Sequence, residues 1–551
     1  MADLLDTRRE QIFPVLTERQ LARLRAHGHL MRTSAGEVLS EPGDRTRPLF
    51  VVLKGSIEII RPGVTGDQLI IVLTPGQFSG EMSTLRGQGS VVRIRVRDAG
   101  EILALDEKRL RVVVQTDAEL SELLMRAFIL RRVALIAQQH SDVVLIGSVH
   151  SAATLRVQQF LTRNGFPYVY LDVEHDPSVE SLLHRFDVQV GEIPVVVCHE
   201  HGVLKNPSNE ELVACLGMNP LIDEAQVRDL IVIGAGPAGL AAAVYGASEG
   251  LDVLVLEVNA PGGQAGSSSK IENYLGFPTG VSGQALAGRA LVQAQKFGAD
   301  VTVAREAIRL HCDRTPYCIE LANDHRVCGR SIVIATGAQY RSLELLDAAR
   351  FIGLGLYYAA TALEGKLCSG QPVVVVGGGN SAGQAAIFLS TDCHHVHLVV
   401  RARDLTDSMS RYLIRRIEET PNITLHAHTE IAALSGTDKL ESVTWRNNQT
   451  GEMQTQEISH LFLMMGAVPN TGWLKGCIDL DSKGFVRTGP QPRRDGQDVH
   501  WPLTREPYLF ETNRPRIFAV GDVRSGSVKR VAAAVGEGSA CVQLVHHVLH
   551  E

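Results

Sequence analysis

Apolar runs of four or five residues, each followed by a turn and a helix-like stretch, recur in the second half of the chain. Residues 230–233 lead through a glycine-rich turn and a helix of small residues into a second apolar run, Val253–Leu256. Pro372–Val376 leads in the same way towards residues 396–400. Short apolar strands that alternate with helices are typical of parallel sheets buried on both faces. Both stretches therefore predict strand–helix–strand units.

Residues 10 to about 117 have a different pattern, in which short apolar or alternating runs are separated by glycine and proline turns. The runs are 49–53, 57–60 and 69–73. Short strands at close intervals predict a small β-barrel or jelly roll. From about residue 118 to 139, leucines and Phe128 at helical spacing predict a long helix. This helix either caps the barrel or forms a dimer contact.

A third pattern follows, in which three strands alternate with two helices. The strands are predicted at 143–146, 168–172 and 193–197. One helix ends near Leu161, the other surrounds Leu182, and Pro194 opens the third strand. A linker is predicted at residues 220–227.

The turn after the first apolar run has the spacing that a dinucleotide phosphate requires. Gly234 permits a tight turn, Gly236 lets a pyrophosphate approach the backbone, and Gly239 lets helix pack on strand. The phosphates would lie at a helix N-terminus, whose free N–H groups and dipole favour an anion. Glu257, at the end of the second strand, is placed to accept hydrogen bonds from a ribose. The candidate residues of the turn are Gly234, Gly236, Pro237, Ala238 and Gly239.

A second turn of this kind follows Pro372–Val376. Its candidate cofactor residues are Gly377, Gly379, Asn380, Ser381 and Ala382. The next strand ends in Arg401 and Arg403 rather than in an acid. An acid there would bind the free ribose hydroxyl of NADH, whereas a guanidinium can pair with the 2′-phosphate of NADPH. The sequence favours NADPH, unless the two arginines are ordinary solvated charges.

Length and composition indicate a large globular protein. A chain of 551 residues is too long for one core and predicts three to four domains. Hydrophobic content of 44%, charged content of 21% and 51 glycines indicate a turn-rich α/β protein, and the net charge of −7 argues against a nucleic-acid partner. The chain shows neither a signal-peptide pattern nor about eighteen consecutive apolar residues, so we expect a cytoplasmic protein without a membrane span.

Nine cysteines are scattered along the chain, and none belongs to a CxxC pair. Scattered cysteines in a cytosolic chain are usually small buried hydrophobic residues. No pair has metal-ligand spacing with a histidine nearby, so no metal site is expected.

Residues 229–551 resemble the low-molecular-weight thioredoxin reductases, which are two-domain flavoproteins. Besides the first turn, the resemblance is carried by residues 262–264, 271–274, 334–338, 466–470, 518–522 and 529–531. It implies FAD and NADPH as cofactors, a homodimer, and a second dinucleotide domain inserted in the first. In that family the late acid, here Asp522, holds the ribityl chain, and the segment at 529–531 covers the flavin ring. The resemblance adds these candidate residues: Gly263, Gln264, Asn273, Thr336, Gly337, Ala338, Gly521, Asp522, Lys529, Arg530 and Val531 for FAD, and Gly466 for NADPH.

The redox-active CxxC of that family is missing here. Its two cysteine positions fall on Ala359 and Ala362, and alanine cannot attack a flavin or a disulfide. Cys368 is close in sequence but stands alone, and Cys312 and Cys318 are expected to be structural. We therefore assign no catalytic side chain of the family type.

The barrel module resembles the cyclic-nucleotide-binding domain, on residues 50–55 and 76–82. In that family an arginine after the second segment pairs with the cyclic phosphate. Gly89 stands where we align that arginine. The resemblance thus implies a degenerate cyclic-nucleotide site.

The third pattern, with a proline that the family holds in cis, resembles the thioredoxin or glutaredoxin fold. Ser148 and Ser151 stand at the strand-to-helix junction where that family has CxxC. A serine hydroxyl cannot form a disulfide, so we interpret the module as a redox-inactive docking module. We expect Ser148 to cap the helix and His150 to be a surface side chain.

The predicted fold class is a multidomain α/β protein: a β-barrel or jelly-roll module, a thioredoxin-like α/β module, and two Rossmann-like, three-layer dinucleotide-binding domains, the second inserted in the first. The predicted domains are 1–140, 141–220, 226–345 with 475–551, and 346–474.

The predicted function is that of an enzyme, an NADPH-dependent FAD oxidoreductase of thioredoxin-reductase type. It would transfer hydride from nicotinamide to FAD, and electrons on to a disulfide-bearing or other acceptor, without the internal CxxC. A thioredoxin-like or other redox protein is the candidate partner. Two alternatives stay open: a thioredoxin-disulfide reductase that uses other cysteines or a partner dithiol, and a non-catalytic FAD- and NADPH-binding sensor.

Overall fold

The structure, a computed structural model, describes most of the chain. The described residues are 9–42, 44, 48–61, 67–80, 84, 92–137, 143–174, 192–198, 202–345, 348–490 and 501–551. Within these ranges, no helix is long and apolar enough to cross a membrane.

The amino-terminal unit is an antiparallel five-stranded sheet flanked by helices. Its elements are α1 (Arg9–Ile12), α2 (Glu18–Arg25), β1 (His29–Thr33), β2 (Val38–Ser40), β3 (Leu49–Arg61), β4 (Gln68–Leu73), β5 (Arg93–Leu105), α3 (Glu107–Thr116) and α4 (Ala118–Ala137). The strand order is β1-β5-β3-β4, and β2 pairs with β5. A β-rich amino-terminal module is thus confirmed, whereas Gly89 lies outside the described residues.

Helix α4 packs on the core of this barrel, as one of the two alternatives predicted. Leu120, Leu124 and Phe128 are at most 1% exposed. The ring of Phe128 meets that of Phe78 edge to face, with centroids 6.2 Å apart. The alternative dimer contact is not tested by a single chain and stays a prediction.

The middle unit, residues 143–219, contains a four-stranded mixed sheet. Its elements are β6 (Val143–Gly147), α5 (Ala152–Arg163), β7 (Val169–Asp172), β8 (Val195–Cys198), β9 (Gly202–Lys205) and α6 (Asn209–Cys215). The order is β7-β6-β8-β9, with β7 parallel to β6 and the other pairs antiparallel. The sequence did not predict β9 or α6, and the helix predicted around Leu182 lies outside the described residues. The Ile193–Pro194 peptide is cis.

The expectation that Ser148 caps the following helix is wrong. Ser151 is the N-cap of α5, because its Oγ accepts a hydrogen bond from the N–H of Thr154. Ser148 instead donates its hydroxyl to Glu174 Oε1 at 2.7 Å. His150 is a surface side chain, as expected, with 62% of it exposed.

The third part of the chain begins with a parallel strand–helix–strand unit. Its elements are β10 (Val227–Ile233), α7 (Pro237–Ser248), β11 (Val253–Leu256), α8 (Gly263–Gly266), α9 (Gly283–Phe297), β12 (Asp300–Thr302), β13 (Ala307–His311), β14 (Tyr317–Leu321) and β15 (Arg326–Ile334). β10 lies between its parallel neighbours β11 and β15, and its residues 230–233 are at most 3% exposed. This burial on both faces explains why the run is uniformly apolar.

The fourth part repeats the pattern in a second sheet. Its elements are β16 (Ala338–Tyr340), β17 (Leu356–Tyr357), α10 (Ala362–Leu367), β18 (Pro372–Val376), α11 (Asn380–Leu389), β19 (His395–Val399), α12 (Arg411–Glu419), β20 (Ile423–His426), β21 (Thr429–Ser435), β22 (Ser442–Asn447), β23 (Met453–Gln456), β24 (Leu461–Leu463) and β25 (Ala467–Pro469). The parallel sheet has the order β17-β24-β18-β19-β20, and β21-β22-β23 form a separate antiparallel sheet.

The last part of the chain returns to the first of these sheets. Its elements are β26 (Ile517–Ala519) and α13 (Val531–His550). β26 pairs in parallel with β15 and completes a seven-stranded sheet of order β12-β11-β10-β15-β14-β13. Between the two sheets, β16 and β25 pair as a two-stranded antiparallel ribbon. The multidomain α/β class is confirmed.

The expectation that the cysteines are unpaired apolar residues is wrong for most of them. Disulfides join Cys198 to Cys215, Cys312 to Cys477, and Cys318 to Cys328. Cys318 and Cys328 face each other across β14 and β15, a proximity that sequence spacing does not reveal. The remaining thiols, those of Cys368, Cys393 and Cys541, are buried.

We expect Phe128→Ala to loosen α4 from the barrel, because deleting a buried aromatic ring costs about 3–5 kcal/mol in transfer and cavity terms. Hydrogen exchange measured by mass spectrometry should then speed up in α4 and β3. The matched control is Ile129→Ala, since Ile129 is 37% exposed in the same helix. Equal exchange in the two variants would contradict the packing described here.

Candidate functional site

The turn between β10 and α7 has the shape that a phosphate group requires. Gly234 has a φ of +101°, and a Cβ there would lie 2.4 Å from the carbonyl oxygen of Ala335. A Cβ on Gly239 would lie 1.8 Å from the carbonyl oxygen of Gly234. A Cβ on Gly236, the N-cap of α7, would meet no atom within 4 Å. Two of the glycines are therefore needed for packing, and the third leaves open space at a helix N-terminus.

Glu257 holds this turn from the end of β11. Its Oε2 accepts a hydrogen bond from the N–H of Ala235 at 2.7 Å, and its Oε1 accepts from the N–H groups of Asn259 and Ala260 at 2.9 and 3.2 Å. The side chain is largely buried. The sequence indicated a ribose ligand at this position and did not show that the carboxylate also organises the backbone.

The second turn, between β18 and α11, has the same design. A Cβ on Gly377, whose φ is +141°, would lie 2.5 Å from the carbonyl oxygen of Met464, whereas Gly379 faces open space. Asn380 Oδ1 accepts a hydrogen bond from the N–H of Ser410 at 2.7 Å. This bond joins the start of α11 to the N-cap of α12. Ala382 is fully buried in the helix–sheet interface.

One cavity of about 1870 Å³ extends from the first turn to Asn380 and Ser381, at the start of α11. The predicted residues that line it are Gly234, Gly236, Pro237, Ala238, Glu257, Gly263, Gln264, Asn273, Thr336, Gly337, Ala338, Asn380, Ser381, Asp522, Lys529, Arg530 and Val531. The predicted residues that do not line it are Gly239, Gly377, Gly379, Ala382, Arg401, Arg403, Gly466 and Gly521. Segments far apart in sequence thus meet around one space large enough for two cofactor molecules.

The ribbon between the sheets brings the two halves of the cavity together. Thr336 Oγ1 donates to the carbonyl oxygen of Asn470, and Asn470 Nδ2 donates to the carbonyl oxygen of Thr336, both at 2.9 Å. Gln264 Nε2 donates to the carbonyl oxygen of Ala338. These bonds fix the connecting strands next to the first turn.

An acid and a base lie together where α13 begins. Lys529 Nζ donates to the backbone oxygen of Asp522 at 2.9 Å. Burial raises the pKa of the Asp522 carboxyl, while the charge of Lys529 opposes that rise. Val531 is the first residue of α13 and Arg530 its N-cap.

The positions of the missing cysteines lie in the wall of this cavity. Ala359 and Ala362 both line it, and Ala362 begins α10, which Thr361 and Glu364 cap reciprocally. Tyr357, beside them, is a buried core residue that packs on Phe462 with ring centroids 5.1 Å apart. Among the described residues, no cysteine lines the cavity.

The expectation that Cys368 stands alone is wrong. Its Sγ lies 3.5 Å from that of Cys393, although 25 residues separate them in the chain. The hydrogen bond with Cys393 and burial raise the pKa of the Cys368 thiol, which keeps it protonated. Neither thiol lines the cavity.

The middle unit contributes residues that sequence analysis missed. Helix α5 lines the cavity with Ala152, Ala153, Leu155, Arg156, Gln159, Thr162 and Arg163. No local pattern in the sequence indicates this placement, because it results from the packing of one domain on another.

Comparison with known proteins places this arrangement in a family. The family model described as pyridine nucleotide-disulphide oxidoreductase matches residues 228–538, more than half of the chain. The chain belongs to this family. A second model, the cyclic nucleotide-binding domain, matches residues 30–117.

The relatives of this family member include thioredoxin reductases. NADPH-dependent thioredoxin reductase 3 of Arabidopsis thaliana is 32% identical over 57% of this chain, which spans 56% of that protein's length. Thioredoxin reductase of Streptomyces clavuligerus is 32% identical over 57% of this chain and 91% of its own. The crystal structure of Lactococcus lactis thioredoxin reductase in its FR conformation matches with a TM-score of 0.52 and 28% identity, over 59% of this chain and 100% of that one. The predicted class, an oxidoreductase similar to thioredoxin reductases that use FAD and NADPH, is confirmed.

The two glycines of the first turn make a matched pair of variants. We expect Gly236→Ala to fold normally, because its Cβ meets open space, and to weaken FAD binding by roughly tenfold or more, because the phosphate loses its approach to the backbone. We expect Gly239→Ala to lower the melting temperature of the FAD-free protein, because its Cβ would overlap a backbone oxygen. Fluorescence titration with FAD and thermal melting of the apoprotein separate the two effects. FAD binding unaltered by Gly236→Ala would show that the cofactor does not use this turn.

Proposed function

We propose that the chain is an NADPH-dependent FAD oxidoreductase of thioredoxin-reductase type that passes electrons to an acceptor outside the chain. The observation that carries the proposal is the cavity that extends from the first glycine turn to Asn380 and Ser381, at the start of the helix after the second turn. Its wall contains Ala359 and Ala362 and, within the described part of the chain, no thiol.

The residues of the first turn and the segments around it fit FAD. Gly234 and Gly239 pack the turn so closely that a Cβ would overlap backbone, and Gly236 leaves the space that a pyrophosphate occupies. Asp522 and Lys529 line the same cavity beyond the turn, where a ribityl chain and flavin ring would follow. FAD supplies the capacity to accept a hydride from a nicotinamide.

We assign NADPH to the second turn, in a domain of residues 346–474 that is inserted into an FAD domain of residues 226–345 and 475–551. Two observations support the insertion: β26 pairs with β15, and the ribbon of β16 and β25 links the sheets. Arg401 and Arg403 are exposed just beyond the carboxyl end of β19. There, free guanidinium groups can pair with the 2′-phosphate that distinguishes NADPH from NADH.

The acceptor is proposed to bring its own redox group, such as a disulfide. In the family that the chain resembles, the dithiol stands at the positions of Ala359 and Ala362, which line the cavity. The nearest thiol in sequence, that of Cys368, is buried away from the cavity beside Cys393. The middle unit, with Ser148 and Ser151 at the start of α5, is proposed as a redox-inactive thioredoxin-like docking module.

Anaerobic stopped-flow spectroscopy of the flavin tests this function. We expect NADPH to bleach the flavin of the wild-type protein rapidly. In the variant that combines Arg401→Gln with Arg403→Gln, the NADPH concentration for half-maximal rate should rise roughly tenfold or more, because charge-assisted bonds to a phosphate are lost. The response to NADH should not change.

The control for this experiment is Arg415→Gln, an exposed arginine on α12 of the same domain. Equal responses of the double variant and the control would remove the NADPH assignment. A flavin that stays oxidised with either nucleotide would contradict the enzyme and favour the alternative, a non-catalytic sensor of FAD and NADPH.

A further inference from the structure

Helix α5 presents one face to the cavity. Ala152, Leu155, Gln159 and Arg163 recur every three or four residues, so they lie on the same side of the helix, and all four line the cavity. Gln159 Nε2 donates to Glu364 Oε1 at 2.7 Å, in the proposed NADPH domain. The other end of the helix, at Arg163, contacts the proposed FAD domain.

The guanidinium of Arg163 reaches the FAD side of the cavity with few hydrogen bonds. Its Nη2 donates to the carbonyl oxygen of Gly263 at 2.9 Å. Its Nε is buried and has no hydrogen-bond partner among the described residues. A guanidinium can donate five hydrogen bonds, and a buried donor without an acceptor is costly. The guanidinium of Arg163 therefore has donors without acceptors among the described residues, and a ligand could supply hydrogen-bond acceptors to it.

The neighbouring carboxylates do not act as hydrogen-bond acceptors for Arg163. Glu257 is close enough to interact electrostatically with Arg163, but its two oxygens already accept three backbone N–H hydrogen bonds. Glu364 already accepts hydrogen bonds from Gln159 Nε2 and from the N–H of Thr361, the N-cap of α10. Burial lowers the pKa of Arg163 and the two acids oppose that shift, so the group stays a cation at neutral pH.

The carbonyl that Arg163 contacts belongs to the wall of the phosphate turn. A Cβ placed on Gly263 would lie 3.1 Å from the Cα of Gly236, so the two glycines are in close contact. Gly236 is the residue that leaves space for a pyrophosphate. Gly263 therefore links the guanidinium of Arg163 to the turn at the N-terminus of α7. That helix N-terminus offers only a partial positive charge to a group with two negative phosphates.

We propose that Arg163, contributed by the middle unit, is an FAD-binding residue that pairs with the pyrophosphate of FAD. The FAD site is then composite, because a full positive charge for the pyrophosphate comes from the middle unit. This inference rests on the proposed function, in which FAD occupies the first turn. It gives the middle unit a role in cofactor binding that is independent of redox chemistry.

The test is the affinity of FAD-free protein for FAD, measured by flavin fluorescence in the full-length chain. We expect Arg163→Gln to raise the dissociation constant roughly 10- to 100-fold, the range for loss of hydrogen bonds to a charged group. Arg163→Lys keeps the charge but loses the paired donors. Its dissociation constant for FAD should lie between those of the wild-type protein and Arg163→Gln. The matched control is Asn164→Ala, which removes a docking bond from Asn164 Nδ2 to the carbonyl oxygen of Asn259. Asn164 itself does not line the cavity.

Competition with two fragments of FAD separates a phosphate contact from a structural role. ADP carries the pyrophosphate and adenosine does not. If Arg163 binds phosphate, Arg163→Gln should weaken the binding of ADP and leave the binding of adenosine unchanged. Equal weakening of ADP and adenosine, or an equal effect of Asn164→Ala on FAD, would show that Arg163 only docks the middle unit and would overturn the proposal.

The outcomes also distinguish this inference from the proposed function. Wild-type protein that binds no FAD would refute the proposed function and, with it, this inference. If the wild-type protein binds FAD and Arg163→Gln binds it equally tightly, only the role of Arg163 is refuted.

Discussion

The structure depends on the placement of two helix N-termini around one cavity. Helices α7 and α11 each begin after a glycine turn at the end of a buried parallel strand, and the first residues of both helices line the same cavity. A helix N-terminus attracts phosphate only if backbone can approach the ligand, so both turns leave a glycine in open space, Gly236 and Gly379. The ribbon of β16 and β25 connects the sheets that carry the two turns.

The middle unit joins the two dinucleotide-binding halves through a single helix. Gln159 contacts Glu364 in one half, and Arg163 contacts Gly263 in the other. Arg416 of α12 adds a direct ion pair to Glu272 at 2.7 Å. A rotation of one half against the other would break these contacts. This chain has Ala359 and Ala362 at the positions where the family that it resembles has its dithiol.

Local features of the fold could be predicted from the sequence, whereas contacts between distant segments could not. The glycines of the two turns were identified because steric and phosphate requirements act within six residues. The strands beside them were found because burial on both faces makes them uniformly apolar. By contrast, the helix cap at Ser151, the contact of Cys368 with Cys393 and the position of Arg163 in the cavity each depend on tertiary packing. The pairing of Cys318 with Cys328 likewise follows from strand register and not from spacing.

In the proposed function, electrons enter through NADPH and FAD and do not pass to a dithiol within the chain. Anaerobic titration with NADPH, followed by flavin absorbance, tests this directly because it counts the electrons that the protein accepts. Each NADPH delivers one hydride, which is one electron pair. We expect one NADPH per flavin to bleach the flavin fully. A requirement for two NADPH per flavin would contradict it, since a disulfide in the chain would then be taking up the second pair.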